Sequence, residues 1–156
     1  MILRVDDRFI HGQVIAGWVR PLGISHLILA SDEIAADDWA RNTYSLAVPD
    51  SIKFSVTSIQ HLPDLIDRPN NKTMIVVGTV KDAYSLIERG LPVDNVDLGC
   101  LGYDDGKCEV CSYIYLSNED IKYIRAIIEH GTKVLARALP NCPVTDIMKF
   151  IKTDRL

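Results

Sequence analysis

The chain has 156 residues, 47% apolar and 24% charged, which suits one globular domain spanning 1–156 with a real hydrophobic core. Its formal net charge of −4 argues against nucleic acid or an anionic membrane surface as the main partner. No apolar run approaches the roughly 18 residues a membrane helix needs. Asp6, Asp7, Arg8, His11 and Arg20 fall where a signal peptide would be apolar, so a cytoplasmic location is expected.

The elements alternate along the chain. The run ILRV at 2–5 is short, apolar and partly β-branched, and predicts a strand. From Gly12, the apolar residues Val14, Ile15, Trp18 and Val19 recur at helical spacing until Pro21 and Gly23 stop the helix. A second strand is expected over 26–31, then a helix capped by Asp32, running to Ala47 and ended by Pro49, then a third strand over 52–58. A weaker helix over 59–66 and a polar loop, DRPNNK at 67–72, lead to the clearest strand, TMIVVGT at 73–79, which reads as buried on both faces. Thr79 with Asp82 opens a helix that Gly90 closes. A fifth strand is expected over 95–101 and a sixth within 106–116. Ser117 with Asp120 opens a helix whose Ile121, Ile124, Ile127 and Ile128 face the core. A last strand over 133–139 and a terminal helix over 144–152 complete the chain. Strands alternating with helices imply right-handed βαβ crossovers and an open α/β, mostly parallel sheet with helices on both faces.

In such sheets ligands bind beyond the carboxyl ends of the strands. The loops expected there are Asp6–His11, Ser31–Asp32, Gly78–Thr79 and Gly99–Asp105. The first, within RVDDRFIHGQV at 4–14, brings ionisable residues to a strand-to-helix turn, where burial would be costly without a use for them. A helix N-terminus favours an anion, Arg8 offers a planar fork for phosphate oxygens, and Gly12 lets the backbone come close. The His11 imidazole can attack phosphorus while a carboxylate such as Asp7 fixes its tautomer. Those residue types add up to a phosphohistidine site. A capping histidine beside a surface Asp–Arg pair is the plainer alternative from spacing alone.

RVDDRFIHGQV resembles, nearly letter for letter, the active-site loop of the IIB components of the mannose/sorbose-type bacterial sugar phosphotransferase system. The stretches LILASDEIAADDWARNTYSLAVPDSIKFSV and VDNVDLGCLGYDDGK extend the likeness over essentially the whole chain. The resemblance implies a phosphocarrier in which His11, through Nδ1, takes a phosphoryl group from a phosphorylated IIA protein. It would pass that group to a sugar crossing the membrane through IIC and IID components, on which the protein would dock peripherally. It further implies that Arg8 faces the phosphate and that Asp7, Gly12 and Gln13 belong to the loop. The implied fold is mostly parallel with an antiparallel strand near the C-terminus. Where the family often carries Gly-Gly-Met and a nearby basic residue, this chain has Gly99-Cys100-Leu101-Gly102-Tyr103-Asp104-Asp105. Two carboxylates would repel a phosphate, so they are expected to point outward or toward a partner. A regulatory phosphohistidine module of the same fold, without a sugar acceptor, is the alternative, and a homo-oligomer is compatible with either.

Other residues are weighed the same way. The Thr79 hydroxyl could reach a phosphoryl group or simply cap its helix, and Gly99, in the loop after the fifth strand, is expected to bind or support the phosphate. Cys100, Cys108, Cys111 and Cys142 include CEVC, but residues three apart on a strand point to opposite faces, so no metal site is expected, and no cofactor. His26, His61 and His130 read as structural or exposed, and Trp18 and Trp39 as core. A nucleotide-binding α/β domain is disfavoured because no glycine-rich phosphate loop follows the first strand.

Overall fold

β1 (Ile2–Val5) lies inside a six-stranded sheet whose order is β3-β2-β4-β1-β5-β8, with β2 at His26–Ala30, β3 at Lys53–Thr57, β4 at Thr73–Val77, β5 at Asn95–Leu98 and β8 at Lys133–Ala136. Every pairing in this sheet is parallel. The structure, a computed structural model, describes residues 1–66, 70–148 and 151. From β1 the chain crosses to β2 and β3 on one side, whereas β4 leads back past β1 to β5 and β8 on the other. The carboxyl edge of β1 is therefore a topological switch point, where the outgoing connections diverge and leave a crevice.

Each strand feeds two cores by alternation. Leu3 and Val5 of β1, with Ile75 and Val77 of β4, join the core under α4 (Val80–Glu88) and α5 (Asn118–Glu129). Met74 and Val76, with Leu27 and Leu29 of β2, join the other core, which holds Val14, Trp18 and Ile34. All five residues of β4 are buried, as a strand covered on both faces requires. Full burial of each such Val or Ile side chain is worth roughly 1.5–3 kcal/mol. Thr79 caps α4 by accepting from the Asp82 N–H at 3.0 Å, and Ser117 with Asp120 forms a full capping box on α5.

Several expected elements take a different form. The helix after β1 begins as α1 (Gly12–Val14) and continues as a π-helical stretch, Ile15–Val19, with the Arg20 N–H donating to the Ile15 carbonyl at 3.0 Å. The helix expected over 32–47 is two helices, α2 (Asp32–Ala36) and α3 (Asp38–Ala47). Asp37 causes the break: its backbone is extended and its carboxylate accepts from the N–H groups of Trp39 and Ala40 at 2.9 and 3.1 Å, restarting the helix. Ser31, not Asp32, caps α2. The restart also turns Trp39 outward, leaving it 77% exposed and correcting its assignment to the core, while Trp18 is fully buried. The weak helix over 59–66 reduces to one 3-10 turn, Leu62–Leu65.

The segment 106–116 is a hairpin rather than one strand: β6 (Cys108–Cys111) and β7 (Ile114–Leu116) pair antiparallel, separately from the main sheet. That hairpin and an antiparallel bridge between Ala136 and Thr145 supply the antiparallel pairing near the C-terminus. Of the loop at 67–72, residues 67–69 lie outside the described residues, as do 149, 150 and 152 of the terminal helix expected over 144–152. The Ile151 N–H still donates to the Ile147 carbonyl at 3.2 Å. Among the described residues, no helix is long and apolar enough to cross a membrane.

Candidate functional site

Parallel strands β1, β4 and β5 present their carboxyl ends side by side, and the loop after β1 is stitched to both neighbours. The Asp6 N–H donates to the Val77 carbonyl at 2.9 Å and the Asp7 N–H to the Cys100 carbonyl at 2.9 Å. A turn closed by the Phe9 N–H on the Asp6 carbonyl at 2.9 Å then sends the chain toward α1. Phe9 sits at φ +54°, a conformation that costs a non-glycine residue energy and is held only where its surroundings over-determine it. Here its ring lies on Gly78, where a Cβ would come within 2.6 Å of the ring edge, and meets Tyr44 edge-on at 5.9 Å. A side chain at 78 would therefore force the Phe9 ring to move.

The carboxylate that reaches His11 belongs to Asp6. His11 Nε2 lies 3.2 Å from Asp6 Oδ2, and a neutral imidazole donating to that carboxylate would carry its proton on Nε2 and its lone pair on Nδ1. Among the described residues Nδ1 has no hydrogen-bond partner. Asp6 is fully buried and His11 20% exposed, which places an anchored nitrogen inward on a ring that solvent can still reach. Asp6 Oδ2 also accepts from Arg4 Nη2 at 3.1 Å, and Asp6 Oδ1 from the Arg8 N–H at 3.2 Å. Asp7, expected to orient the imidazole, instead accepts from the Gly102 N–H at 2.5 Å and ties the loop after β5 to the loop after β1. Neither Asp6 nor Arg4 stands out in the sequence as a site residue. The signal was there: an ionisable residue within a strand's apolar run, and a second one where that strand ends.

Arg8 lies at the mouth. Its guanidinium is 53% exposed, 3.8 Å from Asp6 Oδ1, and donates to Gln13 Oε1 at 3.5 Å. Gly12 follows His11, and a Cβ there would meet open space. The N–H groups of Gly12, Gln13 and Val14 open the helix, whose first backward bond runs from the Ile15 N–H to the His11 carbonyl at 3.1 Å. The loop thus brings His11, Arg8, Gly12 and Gln13 together.

Thr79 and Gly99 serve other ends. The Thr79 hydroxyl donates to Asp82 Oδ2 at 2.7 Å while accepting the Asp82 N–H, so it is engaged as a cap. Burial raises the Asp82 carboxyl above its ordinary pKa, against the pull of that hydroxyl. A Cβ on Gly99 would fall 2.2 Å from Arg4 Nη2 and 2.4 Å from its Cζ, so the glycine makes room for a buried guanidinium. Asp104 and Asp105 are exposed, and the Asp105 N–H closes on Asp104 Oδ1 at 2.8 Å. Burial, with the nearby Asp7 carboxylate, pushes the Cys100 thiol up. Cys108 is exposed and Cys111 half-buried, and no group of three or more His, Cys, Asp or Glu gathers in metal-holding geometry among the described residues. His26 bonds Ser55 Oγ at 2.9 Å, His61 bonds Ser58 Oγ at 2.8 Å and His130 ends α5.

The family model for the PTS system sorbose subfamily IIB component matches residues 1–156. The chain belongs to this family. Membership makes it a phosphotransfer protein of sugar uptake. Relatives of this IIB chain include the PTS system fructose-specific EIIB component of Bacillus subtilis, 26% identical over 97% of the chain and 95% of the relative. The PTS system mannose-specific EIIAB component of Escherichia coli is 25% identical over 99% of the chain and 49% of the relative. Among solved structures, a PTS-dependent N-acetyl-galactosamine IIB component from Streptococcus pyogenes superposes with a TM-score of 0.89 at 29% identity, covering 96% of each chain.

Proposed function

We propose that residues 1–156 act as one phosphocarrier unit that accepts a phosphoryl group on His11 Nδ1 from a phosphorylated IIA protein. It then delivers the group to a sugar entering through IIC and IID membrane components, on whose cytoplasmic face the protein docks. The observation that carries this reading is the His11 ring held at Nε2 by a buried carboxylate, with its other nitrogen unpartnered among the described residues and the half-exposed Arg8 guanidinium 3.8 Å from the same carboxylate. The mannose-specific relative named EIIAB, about half of whose length this chain matches, supports a IIA protein as donor.

In the first transfer the donor's P–N bond breaks and a P–N bond to His11 Nδ1 forms, and the donor imidazole regains its lone pair. Nε2 keeps its proton, and the positive charge that gathers on the ring as the bond forms faces Asp6 across 3.2 Å. Arg8 meets the equatorial oxygens, and the N–H groups opening α1 add dipoles aimed at the same space. Little covalent chemistry is asked of the protein beyond the nucleophile, so positioning and charge stabilisation supply the rate. In the second transfer the sugar hydroxyl oxygen forms an O–P bond as the P–Nδ1 bond breaks, the hydroxyl proton passes to water, and His11 regains its lone pair on Nδ1.

Incubation with radiolabelled phospho-IIA tests the reading. The label is expected to be lost in acid, kept in alkali and absent from His11→Ala. Acid-stable label, or label retained by that variant, would overturn it.

A further inference from the structure

Behind Asp6 stands a set of charges that the transfer chemistry above does not use. Strand alternation puts Arg4 of β1 and Asp97 of β5 on the same face, in direct register, and Arg137 follows β8 beside them. Arg4 is 1% exposed and Asp97 is fully buried. Arg137 grips Asp97 with both arms, Nε to Oδ1 at 2.6 Å and Nη2 to Oδ2 at 3.2 Å, and donates from Nη1 to the Pro140 carbonyl at 2.9 Å. The Trp18 ring lies against both guanidiniums, 4.7 Å from Arg4 Cζ and 5.3 Å from Arg137 Cζ, and its Nε1 donates to the Ala138 carbonyl at 2.9 Å. Arg4 also donates to the Arg137 carbonyl at 3.4 Å and reaches Asp6 with Nη2. Arg4 Nε is buried without a hydrogen-bond partner. The series Asp97–Arg137–Trp18–Arg4–Asp6–His11 is therefore contiguous, from the end of β8 to the reactive ring.

Stability alone gives this arrangement little reason to exist. Buried ion pairs lose in desolvation much of what they gain in attraction, and apolar residues of similar volume commonly replace them without loss. Arg4 leaves one donor unsatisfied besides. What the arrangement does supply is a rigid placement of one carboxylate: two charges, a stacked ring and the missing Gly99 side chain together fix where Arg4 can sit, and Arg4 fixes Asp6.

We propose that Arg4, clamped by Trp18 and by the Asp97–Arg137 pair, is a positioning residue that aims Asp6 at His11 Nε2 and so holds His11 in the tautomer with Nδ1 free. Asp6, which meets the ring, is itself held by the Arg8 N–H at 3.2 Å and approached by the Cys100 N–H at 3.5 Å, while Arg8 reaches Gln13 and Asp7 accepts from the Gly102 N–H. Among the described residues, Arg4, 1% exposed, approaches Asp6 from the buried side, while Arg8, 53% exposed, approaches it from the solvent side.

The inference rests on the phosphohistidine reading for its rate, but its primary readout does not. Nitrogen-15 spectra of His11 in the isolated protein report the tautomer directly. In wild type the Nε2–H form is expected to dominate. In Arg4→Lys, which keeps a charge but cannot stack on Trp18 while bonding both Asp6 and the Arg137 carbonyl, the two tautomers are expected to mix, and in Arg4→Met to mix further. The double variant Asp97→Leu with Arg137→Met removes the distal pair without stranding a charge, and is expected to move the tautomer the same way. It also provides a folded test if Arg4→Met fails to fold. Transfer from phospho-IIA should slow about ten- to a hundredfold in kcat, with KM for the donor little changed. A His11 tautomer unchanged in Arg4→Lys and in the folded double variant overturns the proposal and leaves the stack structural. A wild-type protein that shows the Nε2–H tautomer but takes no phosphoryl group from IIA would overturn the phosphohistidine reading and leave this inference standing.

Discussion

At the scale of single residues, the proposed site divides into a buried group, Arg4 and Asp6, and a more exposed group, His11 and Arg8, that would meet the anion. Arg8 is the outer cation, half exposed and hydrogen-bonded to Gln13, so its fork is available to a phosphate as two parallel N–H bonds. Arg8→Lys should keep the fold and the charge but lose that alignment. Loss of a charge-assisted hydrogen bond is worth about 1.5–3 kcal/mol, or roughly ten- to a hundredfold in transfer rate when the bond is felt in the transition state. Transfer kinetics with unfolding midpoints as control measure it; a wild-type rate would assign the phosphate to the loop N–H groups instead. Gly99→Ala tests the buried group. Its Cβ would fall within 3 Å of three Arg4 atoms in a fully packed spot, and forced overpacking of this kind costs about 1–3 kcal/mol. The variant should melt lower and, because Arg4 must shift, also transfer more slowly per folded molecule.

At the scale of elements, caps and breaks decide more than propensity does. The Thr79 hydroxyl and carbonyl-side geometry open α4, as Ser117 and Asp120 open α5. Thr79→Ala should cost about 1 kcal/mol of stability, seen as a lower denaturation midpoint, and leave the transfer rate within a factor of about two. A large loss of rate at unchanged stability would return Thr79 to the phosphate. The break at Asp37 shows how a second cap inside an apparently continuous helix overrides periodicity: positions 32–47 carry helical spacing throughout, yet two backbone N–H groups satisfied by one side chain restart the count and rotate Trp39 to the surface. The hairpin of β6 and β7 followed the same logic in reverse, since a run of β-forming residues hides a two-residue reversal at Ser112 and Tyr113 that only pairing reveals.

At the scale of the whole molecule, the sheet couples titration to stability. Burial, with Lys53 nearby, lowers the pKa of His26 below its ordinary value of 6.5. The unfolded chain therefore binds a proton at His26 more readily than the folded chain does. Stability contributed here is present above the unfolded pKa and is lost as pH falls from about 6.5 toward the lowered folded value. Denaturant melts between pH 7.5 and about 5 should show stability declining with acid over that window. His26→Gln, which keeps a hydrogen-bonding group near Ser55 and cannot titrate, should flatten the decline. A variant with the same slope as wild type would place the acid sensitivity elsewhere.

The sequence by itself determined the alternation of strands and helices and the placing of the loop with its histidine, arginine and glycine beyond the carboxyl end of β1, because these depend on local spacing and on residue types with few other uses. Expectations drawn from continuous periodicity match the structure in β4, apolar on both faces, and in α4 and α5, each with one buried face. Only the tertiary structure decided which carboxylate serves His11. Asp6 and Asp7 are adjacent and chemically identical, and their roles separate through the β1–β5 pairing, which buries one against Arg4 and turns the other to the Gly102 N–H. The same holds for the Arg4–Asp97–Arg137 set, whose members are 93 and 40 positions apart (97 − 4 and 137 − 97): parallel register sets Arg4 beside Asp97, and Arg137, the residue just past β8, comes to the same carboxylate against Trp18. Local pattern reports what a residue can do; long-range pairing sets which neighbour it does it with.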